Sequence, residues 1–122
     1  MFEDESTGNE HHGFVERAGH RVLLSTAPDE ETATRLARAL VDSGAAGSVS
    51  IVPRARTFYR FQGKLEESSE VMIVVRTTVA ASANAAEILR REHPYDCPEV
   101  IAVDVAGGLD AYLSWLSQGT GA

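Results

Sequence analysis

Val71-Met72-Ile73-Val74-Val75 is apolar on both of its alternating faces, and its reading decides the fold. In an extended strand Met72 and Val74 point to one side, while Val71, Ile73 and Val75 point to the other. A strand of this kind belongs inside a sheet that is covered on both sides. Upstream, from Ser48 to Phe61, the pattern also has a period of two. Val49 and Ile51 alternate with Ser48 and Ser50, and beyond Pro53 the residues Thr57, Tyr59 and Phe61 alternate with Phe58 and Arg60. Proline cannot donate to a central ladder, so Pro53 predicts a bulge or an edge. Gln62-Gly63 supplies a turn, and the two long strands joined near Gly63 form a hairpin.

Working outward, Val22-Leu23-Leu24 reads as a short buried strand. A helix follows, with Pro28 in its first turn and Asp29, Glu30 and Glu31 at the positive end of the dipole. Ala33, Leu36, Ala37, Leu40 and Val41 form its apolar stripe, and Gly44 can end it in a left-handed conformation. A second helix runs from about Val79 to Glu92, with Ala81, Ala85, Ile88 and Leu89 inward, and Pro94 stops it. Val100 to Val103 reads as a fourth strand. Gly107-Gly108 reads as a turn, and Leu109, Tyr112, Leu113 and Leu116 mark a short terminal helix.

The order β-α-β-β-α-β plus a terminal helix predicts an α+β chain. Its arrangement is the ferredoxin-like split βαβ, an antiparallel sheet with two helices on one face. Residues 1–19 read as a flexible acidic tail, residues 20–118 as the domain, and residues 119–122 as a frayed end. Two helices cover only one face of the sheet. The second apolar face therefore calls for other cover, and a partner subunit is the economical source.

Composition agrees with a single soluble globular unit: 43% of the 122 residues are hydrophobic and 24% are charged. No apolar run approaches the roughly 20 residues of a membrane helix, and no basic-then-apolar leader stands at the start. A cytoplasmic protein with no membrane partner is expected. The net charge of −7 is concentrated at the N-terminus, where residues 1–20 hold five carboxylates against Arg17 alone. Without clustered positive charge, no nucleic-acid partner is expected. Arg54, Arg56 and Arg60 read as a solvated strand face or a subunit contact. Cys97 is the only cysteine, which excludes an intrachain disulfide and a thiolate-rich metal site within one subunit. Its neighbours Asp96 and Pro98 offer nothing to activate the thiol.

Two segments concentrate polar chemistry: Gly63 to Val71 with Lys64, Glu66, Glu67 and Glu70, and His93-Pro94-Tyr95-Asp96-Cys97-Pro98-Glu99. Strand alternation puts Glu66 and Glu70 on one face and Glu67 on the other. His93 is the first candidate metal ligand in the domain, with Glu66, Glu67 or Glu70 approaching it across a subunit interface. The competing reading is an imidazole that completes a helix C-terminus. A ligand cleft at that interface would draw on Lys64, Glu66, Glu70, His93, Tyr95 and Trp115. A Lys-Glu hairpin is also a common solvated tip, and Tyr95 and Trp115 also suit packing with one polar end. His11-His12 is a weak metal-binding pair. No nucleophile elbow, phosphate loop or dinucleotide fingerprint is present, so a non-enzyme is expected.

The chain resembles the divalent-cation tolerance (CutA) family over about residues 21–118. The likeness rests on Ser25-Thr26-Ala27-Pro28-Asp29, the Gly63-Lys64-Leu65-Glu66 hairpin, Val75-Arg76-Thr77-Thr78, His93-Pro94-Tyr95 with Pro98-Glu99, and Tyr112-Leu113-Ser114-Trp115-Leu116. The resemblance implies a ferredoxin-like subunit assembled as a homotrimer through inter-subunit strand pairing. It further implies a role in divalent-metal tolerance or response with no required cofactor, and binding of Cu2+ or another divalent cation by some members. The implied trimer is similar to that of PII signalling proteins, and by that analogy a small anionic effector would sit between subunits. Ser25 and Ser48 stand where members of the family carry cysteines, and Arg60 where a tryptophan is frequent. Serine is a poor ligand for a soft metal, which leaves His93 as the candidate.

Overall fold

The computed structural model describes residues 13–121; the acidic N-terminal stretch up to His12, including His11-His12, lies outside them, as does Ala122. The elements are β1 (Phe14–Glu16), β2 (His20–Ala27), α1 (Glu30–Asp42), β3 (Ser48–Phe61), β4 (Lys64–Thr78), α2 (Val79–Glu92), β5 (Ile101–Asp104), β6 (Gly107–Leu109) and α3 (Asp110–Gln118). Four strands form an antiparallel sheet in the order β3-β4-β2-β5. This is the split βαβ order expected of a ferredoxin-like unit, with α1 and α2 as its two crossovers.

Local chemistry places the helices. The Asp29 side chain caps α1 by accepting from the Thr32 amide at 2.7 Å, and the Thr32 backbone and hydroxyl hold its carboxyl below the usual range. Pro28 therefore stands ahead of the cap rather than in the first turn. Gly44, at φ 77°, follows the Ser43 C-cap in the left-handed region that a glycine occupies without steric cost. Thr78 caps α2 through the Ala81 amide. On α2 the expected inward Ala81 is only half-buried. Ser82 is buried instead, its hydroxyl donating to the Val79 carbonyl and accepting from the Arg21 guanidinium.

β4 divides the molecule into two sides. Val71, Ile73 and Val75 lie under α1 and α2 with Leu23, Ala27, Leu36, Leu40, Ala85 and Leu89, forming the core. Met72 and Val74 face the opposite side, where the register sets Thr26 and Val52 beside Met72, and Leu24 and Ser50 beside Val74. On β5, Val103 pairs with Val22 and Ile101 with Leu24, extending this apolar face. Its outer members remain about half exposed: Val52 at 46%, Ile101 at 51% and Val103 at 46%. At one end of the face, His20 is buried and its Nε2 lies 3.1 Å from the Leu113 carbonyl and 2.8 Å from the Ser117 hydroxyl, which ties α3 there.

The ends of the chain differ from the expectation. Phe14–Glu16, read as part of the tail, forms an antiparallel pair with β6, and Gly107-Gly108, read as a turn, lies in that strand. The Arg17 amide donates to the Ala106 carbonyl, the Asp110 amide to the Gly13 carbonyl, and the Arg17 and Asp110 side chains pair at 2.7 Å. A three-residue strand is too short to show a period, and its partner lies more than ninety positions away. At the C-terminus the Thr120 hydroxyl donates to the Leu116 carbonyl and the Gly121 amide to Gly44, so residues 120 and 121 are tied down rather than frayed.

A Cβ on Gly107 would collide with the Val15 carbonyl oxygen, because β1 crosses directly over this position. Gly107→Ala should therefore detach β1 while the main sheet persists. In hydrogen exchange, the amides of Arg17 and Asp110 should lose protection and those of β4 should keep it. Unchanged exchange at Arg17 would contradict the close approach.

Candidate functional site

One groove of about 580 Å³ opens on the sheet face that α1 and α2 leave free, beyond the apolar patch. β2 contributes Thr26; β3 contributes Thr57, Tyr59 and Phe61; β4 contributes Ser68 and Glu70. The loop after α2 contributes Tyr95, Cys97 and Glu99.

A single extra residue in β3 puts the aromatic side chains there. Val52 pairs with Met72 and Ala55 with Glu70, so β3 advances three positions while β4 advances two. Pro53 and Arg54 form this bulge, and Arg54 takes a left-handed φ of 64°. A one-residue insertion reverses the alternation. Before the bulge Ser48, Ser50 and Val52 face the free side; after it Ala55, Thr57, Tyr59 and Phe61 do. The hairpin closes through Gln62 and Gly63 at φ 51° and 78°, the two positive angles of a type I′ turn.

The loop is fixed from the other side by two side-chain bonds to β2 and its neighbour. His93 Nε2 bonds the Thr26 carbonyl at 2.7 Å, and the Tyr95 amide donates to His93 Nδ1 at 3.1 Å. A carbonyl can only accept and an amide can only donate, so Nε2 carries the proton and the Nδ1 lone pair is taken. The buried Ser25 hydroxyl donates to the Glu99 carbonyl at 2.7 Å. These bonds set the Tyr95 ring 4.7 Å from that of His93. Burial, followed by the Glu70 carboxylate, Tyr59 and Asp29, pushes the Tyr95 phenol above its ordinary range, so it stays a neutral hydroxyl.

Of the expected cleft residues, the structure brings Glu70 and Tyr95 together in the groove and leaves out Lys64, Glu66 and Trp115. Lys64 pairs with Phe61 beside the hairpin turn, and Trp115 packs against Tyr112 on α3. Glu66 lies opposite Tyr59, six positions along β4 from the Met72 that neighbours Thr26. That spacing is roughly 20 Å of strand, so within one subunit Glu66 does not meet His93. Within one subunit both His93 nitrogens are committed to backbone partners, which is the geometry of the competing reading, a helix-end imidazole bonded to a carbonyl. Among the described residues no group of three His, Cys, Asp or Glu side chains converges on a metal position. Glu67 faces the other way, as alternation requires, and pairs with Arg56 at 2.8 Å. Other groove residues carry no site signal in the sequence: Thr57, Tyr59 and Phe61 stand there as an alternating run after Pro53, and Glu99 as the end of the prolyl loop.

His93 thus acts as a structural tie. His93→Ala should lower unfolding free energy by roughly 1–3 kcal/mol, since the Thr26 carbonyl loses its donor and the loop its anchor. Glu66→Ala, at the exposed tip, should leave the denaturant midpoint nearly unchanged. Equal midpoints for the two variants would remove the anchoring role.

A family model described as CutA1 divalent ion tolerance protein matches residues 21–119. Divalent-cation tolerance protein CutA of Thermus thermophilus is 41% identical over 100 residues, covering 82% of this chain and 97% of that one. The protein of the same name from Pectobacterium atrosepticum is 40% identical over 96 residues, 79% of this chain and 87% of its own. In three dimensions the T. thermophilus structure superposes with a TM-score of 0.81 at 40% identity, covering 84% of this chain and 99% of that one. CutA from Synechococcus elongatus gives 0.83 at 34%, covering 87% and 94%. β1 lies ahead of the matched range, whereas the groove, its anchoring bonds and the bulge lie within it. With this match over most of its length, the chain belongs to the CutA1 divalent ion tolerance family.

Proposed function

We propose that the chain is a homotrimeric divalent-cation response protein that acts by binding and assembly rather than by catalysis. One observation carries the assembly: the uncovered face of Val22, Leu24, Val52, Met72, Val74, Ile101 and Val103, next to the free outer edge of β3. A contiguous apolar surface of this kind is buried by association, and an open strand edge accepts another strand. Symmetric closure of such contacts produces a defined oligomer.

The metal part of the reading has to use donors other than the two serines. Ser25 is committed to the Glu99 carbonyl, and the Ser48 and Ser50 hydroxyls accept from Arg76 at 2.9 Å. A small anionic effector in the groove finds no support, because no lysine or arginine lines it. Cytoplasmic placement is part of the proposal and is checked by cell fractionation; a family structure from Archaeoglobus fulgidus is described as periplasmic, so the family is not tied to one compartment.

Sedimentation equilibrium should give about three times the 13.1 kDa subunit mass. Val74→Asp places an unpaired charge on the proposed interface and should yield a folded subunit of lower mass by the same measurement. Ile73→Asp, one residue away but in the core, should unfold the subunit instead. A wild-type monomer would refute the assembly.

Calorimetric titration with Cu2+ tests the metal reading. Saturable binding should survive His11→Ala/His12→Ala. Loss of all binding in that variant would place the metal outside the domain and overturn a domain-borne site.

A further inference from the structure

We propose that the groove between the β3–β4 arm and the loop after α2 binds a small organic ammonium ion, an aliphatic amine with one or two cationic nitrogens. Glu70 and Glu99 would pair with its charge, and the rings of Tyr59, Phe61 and Tyr95 would hold its methylene body. The inference does not rest on the metal reading; every lining residue belongs to one chain, and the groove lies beyond the apolar patch proposed for association.

Charge complementarity selects the occupant. The salt bridges of the described residues all use carboxylates elsewhere: Asp110 with Arg17, Asp104 with Arg21, Glu67 with Arg56, Glu87 with Arg90, and Glu92 with Arg35 and Arg91. Glu70 and Glu99 have no cationic side-chain partner among the described residues, and both open onto a groove that contains no lysine or arginine. An anion there would be repelled. A compact divalent ion demands several converging oxygen or nitrogen donors, and no such group of three carboxylate, thiol or imidazole side chains is present among the described residues. An alkylammonium needs less: a carboxylate for its charge, aromatic faces for its cation and its hydrocarbon, and hydroxyls for its N–H donors. The groove offers all three, the hydroxyls being those of Thr26, Thr57 and Ser68. The Tyr95 phenol, raised first by burial and then by the Glu70 carboxylate, lies close enough to Glu70 to feel its charge.

The test is calorimetric titration of the full chain with putrescine, a four-carbon diamine, at low ionic strength. Saturable binding is expected, weakened about fivefold or more by Glu70→Gln and by Glu99→Gln, as removal of one nearby charge implies. Tyr59→Leu should weaken it as well, whereas Glu30→Gln on the helix-covered side should not. Thermal unfolding of each variant shows that the fold is kept; if Glu70→Gln fails to fold, the exposed Glu99→Gln and Tyr59→Leu carry the comparison. Absence of saturable heat overturns the proposal, as does binding that is unchanged in the glutamine variants. Mg2+ displacing putrescine with Tyr59→Leu silent would show a site that reads charge alone, and would equally overturn it. Cu2+ titration of the same variants reports separately on the metal reading.

Discussion

The alternation of β4 is the constraint on which the rest of the structure depends. Its side chains must point to opposite sides at every step, and the strand is apolar on both sides over Val71–Val75. The odd positions take all the cover that α1 and α2 provide, so Ile73 and Val75 are fully buried. The even positions have no helix of their own along most of the strand. A surface of Met72, Val74 and their β2, β3 and β5 neighbours is left for association, and the arm of β3 and β4 that continues past it carries the groove.

Because pairing locks β3 to β4, one inserted residue sets the side-chain facing of the strand as far as Phe61. The bulge at Pro53-Arg54 exchanges the two faces of β3, moving Tyr59 and Phe61 to the free side and Phe58 and Arg60 to the other. Arg56 beyond the bulge then lies 5.3 Å from the Phe58 ring centre and pairs with Glu67, on the side away from the groove. Polar anchoring completes the site: His93 and Ser25 use their hydrogen-bonding groups on backbone partners, which holds the prolyl loop against β2. Within the subunit, His93 and the serine that stands in a family cysteine position are thereby engaged in architecture.

Membership in the CutA1 family accounts for residues 21–119. The described residues ahead of that range add contacts to the end of the domain. β1 lies across Gly107, and together with the Arg17–Asp110 pair it fastens the start of α3. The His20 imidazole secures the same helix farther along, at Leu113 and Ser117. These ties to α3 all come from residues ahead of the matched range.

Sequence alone determined the order of the elements that build the four-stranded sheet, both helices with their stop signals, the Pro53 irregularity, the hairpin at Gly63 and the two-sided strand. Each of these is written in local periodicity or in the stereochemistry of one or two residues. Glu70 and Tyr95, which line the groove, stood out as candidates for the same reason, lying in short polar segments beside apolar strands. The tertiary structure decided what depends on partners distant in the chain. It paired β1 with β6, engaged both nitrogens of His93, and left Lys64 and Glu66 at the tip. It also turned Tyr59 and Phe61 toward Glu70 and Glu99. Periodicity reports which side chains share a face, but only the fold decides what that face meets, because the meeting groups come from strands and loops whose register is set by long-range pairing.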